Sequence, residues 1–238
     1  MKSAIVTGTS SGIGNSIAIK LLKLGYRVYG LSRTDSENLA ANSDFSFIEC
    51  DLRNSKDIKS KIESLLKTEK SIHLLIHNAG FGLIGMHEEL NYKNLEELIQ
   101  VNLTAPILIT RLLLRELKAN QGTIINISSI TAKKNSPLAS AYAATKAGLT
   151  QFGNSIFEEV RKYNVKVCNI HPDVTKTNFY KNLSVEEEEE DKDSYLLPET
   201  IADCVEMILN QNQGTTITDI TLQPQKHKIK RKKNTLVT

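Results

Sequence analysis

Tyr142 and Lys146 stand four residues apart in Tyr142-Ala143-Ala144-Thr145-Lys146, within a stretch whose apolar spacing predicts a helix from Ala139 to Tyr163. Residues four apart share a helix face, so a phenol and an ammonium converge there on one ligand. A phenol with a pKa of about 10 exchanges protons poorly at neutral pH. A neighbouring ammonium stabilises the phenolate and lowers that value, which is what general acid–base catalysis needs. A single Tyr-x-x-x-Lys also arises by chance on helix surfaces, so its weight depends on its company. Asn126-Ile127-Ser128-Ser129 closes an apolar run upstream, with Ser129 thirteen residues before Tyr142, and Asn102 lies in an earlier helical stretch. Each also has an ordinary role open to it: Asn102 as a helix residue bonded to backbone, Ser129 as a turn residue, Tyr142 as a partly buried aromatic.

A second kind of chemistry sits near the N-terminus. Thr7-Gly8-Thr9-Ser10-Ser11-Gly12-Ile13-Gly14 follows the apolar run Ala4-Ile5-Val6 and opens a helical pattern. Glycines let a backbone turn tightly and approach a ligand closely. Free N–H groups at a helix start attract an anion, and the Ser10 and Ser11 hydroxyls add donors. Turns use glycine too; the strand–loop–helix context is what points to phosphate. The next apolar run ends Tyr29-Gly30-Leu31-Ser32-Arg33. An acid at that point would bond the ribose hydroxyls of NAD. Ser32 stands there instead, and the Arg33 guanidinium suits a 2′-phosphate. Asp35 is a weaker NAD-selecting candidate, and a ligand-free surface arginine is the plain alternative for Arg33.

These residues need elements to hold them. Strands are expected at Ala4–Val6, Val28–Leu31, Phe45–Ile48, Leu74–Ile76, Thr123–Ile127 and Val165–Ile170, with an alternating run Ile217–Leu222 as a last strand. Helices are expected around Ile13–Leu24, with Gly25 ending it, around Ile58–Leu66, from about Leu95 to Leu117, from Ala139 to Tyr163, and around Ile201–Leu209. Pro106, inside the third of these, predicts a kink or a helix start. Alternation of strands and helices predicts an α/β fold: a doubly wound parallel sheet of about seven strands with helices on both faces. Ligands of such sheets bind beyond the carboxyl ends of the strands, where the chemistry-bearing residues lie.

The spacing Thr-Gly-x-x-x-Gly-x-Gly, Tyr142-x-x-x-Lys146, Ser129 and Asn102 together resemble the short-chain dehydrogenase/reductase family, over residues 3 to about 178. The resemblance implies a Rossmann-like fold and hydride transfer between NADP(H), preferred over NAD(H), and a carbonyl or alcohol. It implies an Asn102-Ser129-Tyr142-Lys146 tetrad: Tyr142 as proton donor, Ser129 bonded to the same oxygen, Lys146 lowering the Tyr142 pKa and holding ribose hydroxyls, Asn102 positioning a water. Ser128, next to Ser129, fits the family spacing less well. Cofactor contacts are implied for Gly8, Ser10, Ser11, Gly12, Ile13, Gly14, Ser32 and Arg33, for Asp51 and Leu52 at the adenine, and for Asn78, Ala79 and Gly80 near the adenosine ribose. Pro172, Val174 and Thr177 complete the set, with Thr177 at the nicotinamide carboxamide. Asp173 replaces the family's usual glycine, which would strain a position with positive φ; its carboxylate would disfavour acidic substrates or face solvent. Residues 178–197 correspond to a substrate lid, and the helices at 95–117 and 139–163 to the surface of a homodimer or homotetramer. A regulator that binds NADP(H) without turnover is the alternative; the intact tetrad argues against it.

Composition bounds the rest. Hydrophobic residues make up 40% and charged residues 24%, enough apolar surface for a packed core over residues 1–225 as one domain. A net charge of +3 implies no specific nucleic-acid partner. Cys50, Cys168 and Cys204 lack metal spacing and read as free buried thiols, as in a reducing compartment. With no secretory h-region and no run of about 18 apolar residues, the expectation is a cytoplasmic protein without a membrane or metal site. His87 and His171 stand near strand ends, where solvent-facing or capping roles account for them. The acidic run Glu186–Glu190 with Asp191 and Asp193, and the basic tail 226–238, are expected to stay solvated and disordered; the tail alternatively docks weakly on acidic surfaces.

Overall fold

The computed structural model describes residues 1–180, 183, 185–187, 191–226 and 228–231. Seven strands form one parallel sheet: β1 (Ser3–Thr7), β2 (Arg27–Ser32), β3 (Phe45–Glu49), β4 (Ile72–His77), β5 (Thr123–Ile127), β6 (Lys166–Pro172) and β8 (Asp219–Leu222), in the order β3-β2-β1-β4-β5-β6-β8. Every residue of β1 and β5 is buried, as a parallel strand covered on both faces requires. Alternate residues then point to opposite layers. Ala4 and Val6 face Ile17 and Leu21 of α1 (Gly12–Lys23) and Ile201 and Val205 of α7 (Pro198–Leu209). Ile5 faces the other layer, with Ile58 and Ile62 of α3 (Ser55–Thr68), Ile109 and Leu113 of α5 (Ala105–Ala119), and Val160 of α6 (Ser140–Val160). A one-turn helix α2 (Glu37–Ala40) lies between β2 and β3. The sheet winds one way from β1 to β3 and the other from β4 onward, so its switch point is the crevice between β1 and β4.

The stretch predicted as a helix from about Leu95 is continuous from Tyr92 to Ala119, built of α4 (Tyr92–Ile99), a π-helical turn (Gln100–Thr104) and α5. Pro106 lies in the first turn of α5. An α-helical pattern would bond the carbonyl of Asn102 to the N–H four residues on, which is Pro106 and has none. The widened turn absorbs that missing donor, so the expected kink is a π-bulge. At 28 residues this helix is long and apolar enough to cross a membrane, although polar residues interrupt its apolar run. Its Ala105, Ile109, Leu113 and Leu117 are fully buried against the sheet. The three cysteines are free, with Cys50 and Cys168 buried and their thiols pushed up to about 12 by burial.

The charged segments depart from the solvated reading. β7 (Val185–Glu187) pairs antiparallel with β9 (Ile229–Arg231), placing Glu186 opposite Lys230 in register. Lys228 Nζ lies 2.8 Å from Asp191, and Lys226 Nζ 3.0 Å from Asp193. Opposite charge brings two like-charged blocks together; Lys228 holds the Asp191 carboxyl down at about 2. Residues 188–190 and 232–238 lie outside the described residues. Exposed pairs of this kind contribute little to stability and weaken with salt. Deleting residues 226–238 is therefore expected to leave Tm within a few degrees and to speed proteolysis between residues 178 and 197 several-fold. Equal cleavage rates in the two chains would show that the pairing protects nothing.

Candidate active site

The glycine loop is clamped at the switch point. The Thr7 hydroxyl accepts the backbone N–H groups of Asn78 (2.9 Å) and Ala79 (3.0 Å). Asn78 Nδ2 in turn donates to the carbonyls of Thr7 (2.9 Å) and Gly8 (3.1 Å). Gly8 and Gly12 adopt φ of +74° and +59°, a region that favours glycine. Gly14 is required by space: a Cβ there would lie 2.2 Å from the Gly8 carbonyl oxygen and 2.3 Å from Asn78 Nδ2. Ser11, extended at φ −164°, caps α1 without a side-chain hydrogen bond, and the first turn, with Ile13, carries no acid. By contrast, Asn54 caps α3 by accepting from Lys56 and Asp57, and Asp57 sits in that first turn. The α1 terminus thus keeps its N–H groups and positive end for an outside anion, with the Ser10 and Ser11 hydroxyls beside it. Asn15 braces the loop from behind, donating to Thr9 O (3.2 Å) and Ser36 Oγ (2.7 Å).

At the far end of β2, a 430 Å³ cleft is lined by Arg33, Glu49, Asp51, Arg53, Asp57 and Lys61. Ser32 is buried and its hydroxyl donates to Thr34 O at 2.8 Å, while Arg33 is exposed at the rim. Asp35 accepts the neighbouring Ser36 N–H at 2.7 Å. Arg53 binds both oxygens of Asp51, at 2.8–3.1 Å, and this holds the Asp51 carboxyl below the usual range. Leu52 is buried, its carbonyl taking the Gln100 amide at 3.3 Å. The glycine cradle, the open α1 terminus and this cleft fit the diphosphate and adenosine parts of a dinucleotide.

Ser129, Tyr142, Lys146 and Asn102 meet at the carboxyl ends of β4 and β5. Ser129 stands beside the Tyr142 phenol and favours its ionised form, while its Oγ accepts the Thr131 N–H at 3.2 Å. Lys146 is buried, with Nζ 5.9 Å from the Tyr142 ring centre and 2.9 Å from the Ile127 carbonyl, to which it donates. Gly80 separates Lys146 from Asn102: a Cβ there would lie 3.4 Å from Lys146 Nζ and 3.1 Å from Asn102 Oδ1. Asn102, fully buried in the π turn, accepts from Phe81 N (3.1 Å) and donates to Phe81 O (2.9 Å) and Thr145 Oγ1 (3.3 Å). Its amide is thus committed to the protein. Ser128 faces away, donating to Lys146 O at 3.0 Å. Burial raises the Tyr142 pKa to about 12, against the effect of Ser129, and lowers Lys146 to about 8. A phenol depressed by Lys146, as the residue types suggest, is not the resting state, because the ammonium is turned to the Ile127 carbonyl.

Thr177 packs on the glycine loop, its Cγ2 3.2 Å from where a Gly12 Cβ would stand. Pro172 ends β6, and Val174 is buried with its carbonyl bonded to Leu196 N at 2.8 Å. Asp173 is not among the positive-φ residues, so its backbone is unstrained. Its carboxylate, with a side chain only 4% exposed, takes Val174 N (2.9 Å) and Gln223 (3.2 Å) and faces Lys134 at 3.7 Å. It neither points to solvent nor stands free to repel an acidic ligand. Phe179 lies 5.7 Å from the Tyr142 ring and, with Leu183, closes on Gly82, so this part of the segment packs beside Tyr142.

Sequence reasoning missed the Thr7 clamp, the Phe81 backbone as partner of Asn102, the Arg53 fork on Asp51, and the surroundings of His171. His87 is exposed beside Ser140, as expected, but His171 has no exposed surface and lies 2.7 Å from Asp219. A signal existed: Asp219 is the one charged residue in the alternating run 217–222, on the strand that pairs with the buried His171.

A profile of the short chain dehydrogenases matches residues 2–188. The chain is 33% identical to a 3-oxoacyl-(acyl-carrier-protein) reductase of Buchnera aphidicola subspecies Schizaphis graminum over 77% of its own length and 78% of the relative's. It is 30% identical to dehydrogenase/reductase SDR family member 11 of Bos taurus, over 93% of this chain and 95% of that one. A metagenomic short-chain oxidoreductase solved in complex with NADP superposes with a TM-score of 0.78 at 32% identity, covering 94% and 96% of the two chains. The chain belongs to the short-chain dehydrogenase/reductase family of oxidoreductases.

Proposed function

We propose that this oxidoreductase interconverts a carbonyl and an alcohol with NADP(H) in preference to NAD(H), using Tyr142 as general acid and base. The observation that carries the reading is the convergence of Ser129, Tyr142 and Lys146 beyond the carboxyl ends of β4 and β5, with Phe179 against the Tyr142 ring. The nicotinamide, when bound, supplies or accepts the hydride. In reduction the Tyr142 phenol donates its proton to the carbonyl oxygen, and the Ser129 hydroxyl donates to the same atom, so developing charge meets two fixed donors. Lys146 turns from the Ile127 carbonyl to ribose hydroxyls and to the phenol, lowering its pKa. The Asn102 amide is occupied, so the water role falls to the main chain of the π turn that carries it. Thr177 stands over Gly12 to meet the carboxamide. Ser10, Ser11 and the α1 terminus hold the diphosphate; Asn78, Ala79 and Gly80 shape the floor.

Ser32 and Arg33 support NADP: position 32 holds no acid to bond the ribose hydroxyls of NAD, and a guanidinium stands at the cleft rim. Replacing Arg33 by alanine is expected to weaken NADPH binding about tenfold or more, the size of one charge-assisted hydrogen bond, and to leave NADH within twofold. Fluorescence titration of both cofactors checks this; equal losses would remove Arg33 from the phosphate site. The substrate class is best sought by following NADPH oxidation across aldehydes, ketones, quinones and 3-oxo acids, the last because a relative is named for a 3-oxoacyl substrate. Tight NADPH binding without oxidation across that panel would instead make the chain a binding regulator. Exposed Ile99 and Ile107 on the Tyr92–Ala119 helix support homo-oligomer formation through that face. We place the protein in the cytoplasm, in keeping with its free buried thiols.

A further inference from the structure

His171 sits at the carboxyl end of β6 with no exposed surface. Its Nε2 is 2.7 Å from Asp219 Oδ2 on β8, and its Nδ1 is 3.2 Å from the carbonyl oxygen of Ser129. A main-chain carbonyl and a carboxylate both accept, so each ring nitrogen faces an acceptor. A proton on each nitrogen would satisfy both partners, with the Asp219 carboxylate opposite the ring. The Ser129 carbonyl takes a second donor, Ala132 N, at 3.0 Å, which engages both of its lone pairs. The other oxygen of Asp219 takes Lys133, which also donates to Thr221 Oγ1 at 3.0 Å. Asp219 thereby holds both ends of the turn from 129 to 133: one through His171, the other directly. The Cys168 thiol, on the same strand as His171, also lies within the field of Asp219.

We propose that His171 and Asp219 are positioning residues for Ser129, locking the turn that aims its hydroxyl at Tyr142 and the substrate oxygen. The proposal rests on the reading of Ser129 as a donor to that oxygen. Neither His171 nor Asp219 reaches the reacting atoms; they act through the main chain of Ser129. A donor displaced by a fraction of an ångström loses much of its effect on the transition state while leaving cofactor binding intact.

The test compares His171→Ala, His171→Asn, Asp219→Asn and Ser129→Ala, using the carbonyl compound turned over fastest in the panel above. His171→Ala removes both donors and is expected to lower kcat at least tenfold with NADPH affinity within twofold. His171→Asn places an amide donor where Nδ1 stood and should restore most of that loss, which a purely structural role would not predict. In the wild-type chain labelled with 15N-histidine, the signal that His171→Ala abolishes should show both ring nitrogens protonated at neutral pH. Should His171→Ala not fold, Asp219→Asn carries the test, with lower kcat and a neutral His171 ring expected. A neutral ring in the wild type, a kcat within twofold of wild type, or loss of kcat only in step with NADPH affinity would overturn the proposal. Wild-type turnover in Ser129→Ala would instead overturn the role of Ser129, while the nitrogen signals still report whether the strut exists.

Discussion

Replacing Tyr142 by phenylalanine is expected to lower kcat by about three orders of magnitude, within the range of a lost general acid, and to leave NADPH affinity within a few-fold. The phenol is half-buried beneath Phe179, so its ring stays packed and only the oxygen is lost. Stopped-flow reduction of the best carbonyl substrate, paired with NADPH titration, separates the two effects; full turnover in the variant would sink the assignment. The pH dependence follows from the two neighbours. Tyr142 stays protonated up to about 12 in the resting site, while Lys146 gives up its proton near about 8. Carbonyl reduction should therefore decline as pH rises through about 8, as the ammonium that lowers the phenol's pKa is lost. Stability runs the other way. Between about 8 and 10.5 the unfolded chain holds more protons at Lys146 than the folded one, so this residue's contribution rises with pH.

The second large effect concerns Gly14. Its φ is not in the left-handed region, so the cost of Gly14→Ala is steric: the new methyl would stand 2.2 Å from the Gly8 carbonyl oxygen and 2.3 Å from Asn78 Nδ2. Neither neighbour yields easily, because Asn78 Nδ2 is bonded to the Thr7 and Gly8 carbonyls. Overpacking of this kind costs about 1–3 kcal/mol, or roughly 3–10 °C in Tm for a chain of this size. NADPH affinity should fall at least about tenfold as well, since loop amides lose their aim on the phosphate. Gly25→Ala is the matched control. Gly25 has φ +78° but nothing within 4 Å of a Cβ, so alanine there brings about 1 kcal/mol of backbone strain and no change in NADPH affinity. Calorimetry with cofactor titration distinguishes the two; comparable affinity losses would mean that the loop is not the phosphate cradle.

The strands at 3–7 and 123–127 were legible because both faces are covered, which favours short, largely apolar runs between turn signals. The helix carrying Tyr142 and Lys146 was legible from its period, and the glycine loop from its place between strand and helix. The π turn was visible only as a warning at Pro106, since a proline says where a donor is missing and not how the helix accommodates the loss. The pairing of residues 185–187 with 229–231 was read as two solvated charge blocks, because each repels itself and only proximity in space lets opposite signs meet.

The sequence by itself determined the alternation of elements, the glycine cradle, the absence of an acid at Ser32, and the spacing that puts a phenol and an ammonium on one helix face. Those are local matters, decided by periodicity, covalent chemistry and residues a few positions apart. The tertiary structure decided the rest. It committed the Asn102 amide to Phe81, turned Lys146 toward the Ile127 carbonyl, buried the Asp173 carboxylate beside Gln223, and set His171 between Asp219 and Ser129. Each of these depends on the dielectric and the partners that a side chain meets when strands distant in sequence become neighbours, and no local pattern encodes either.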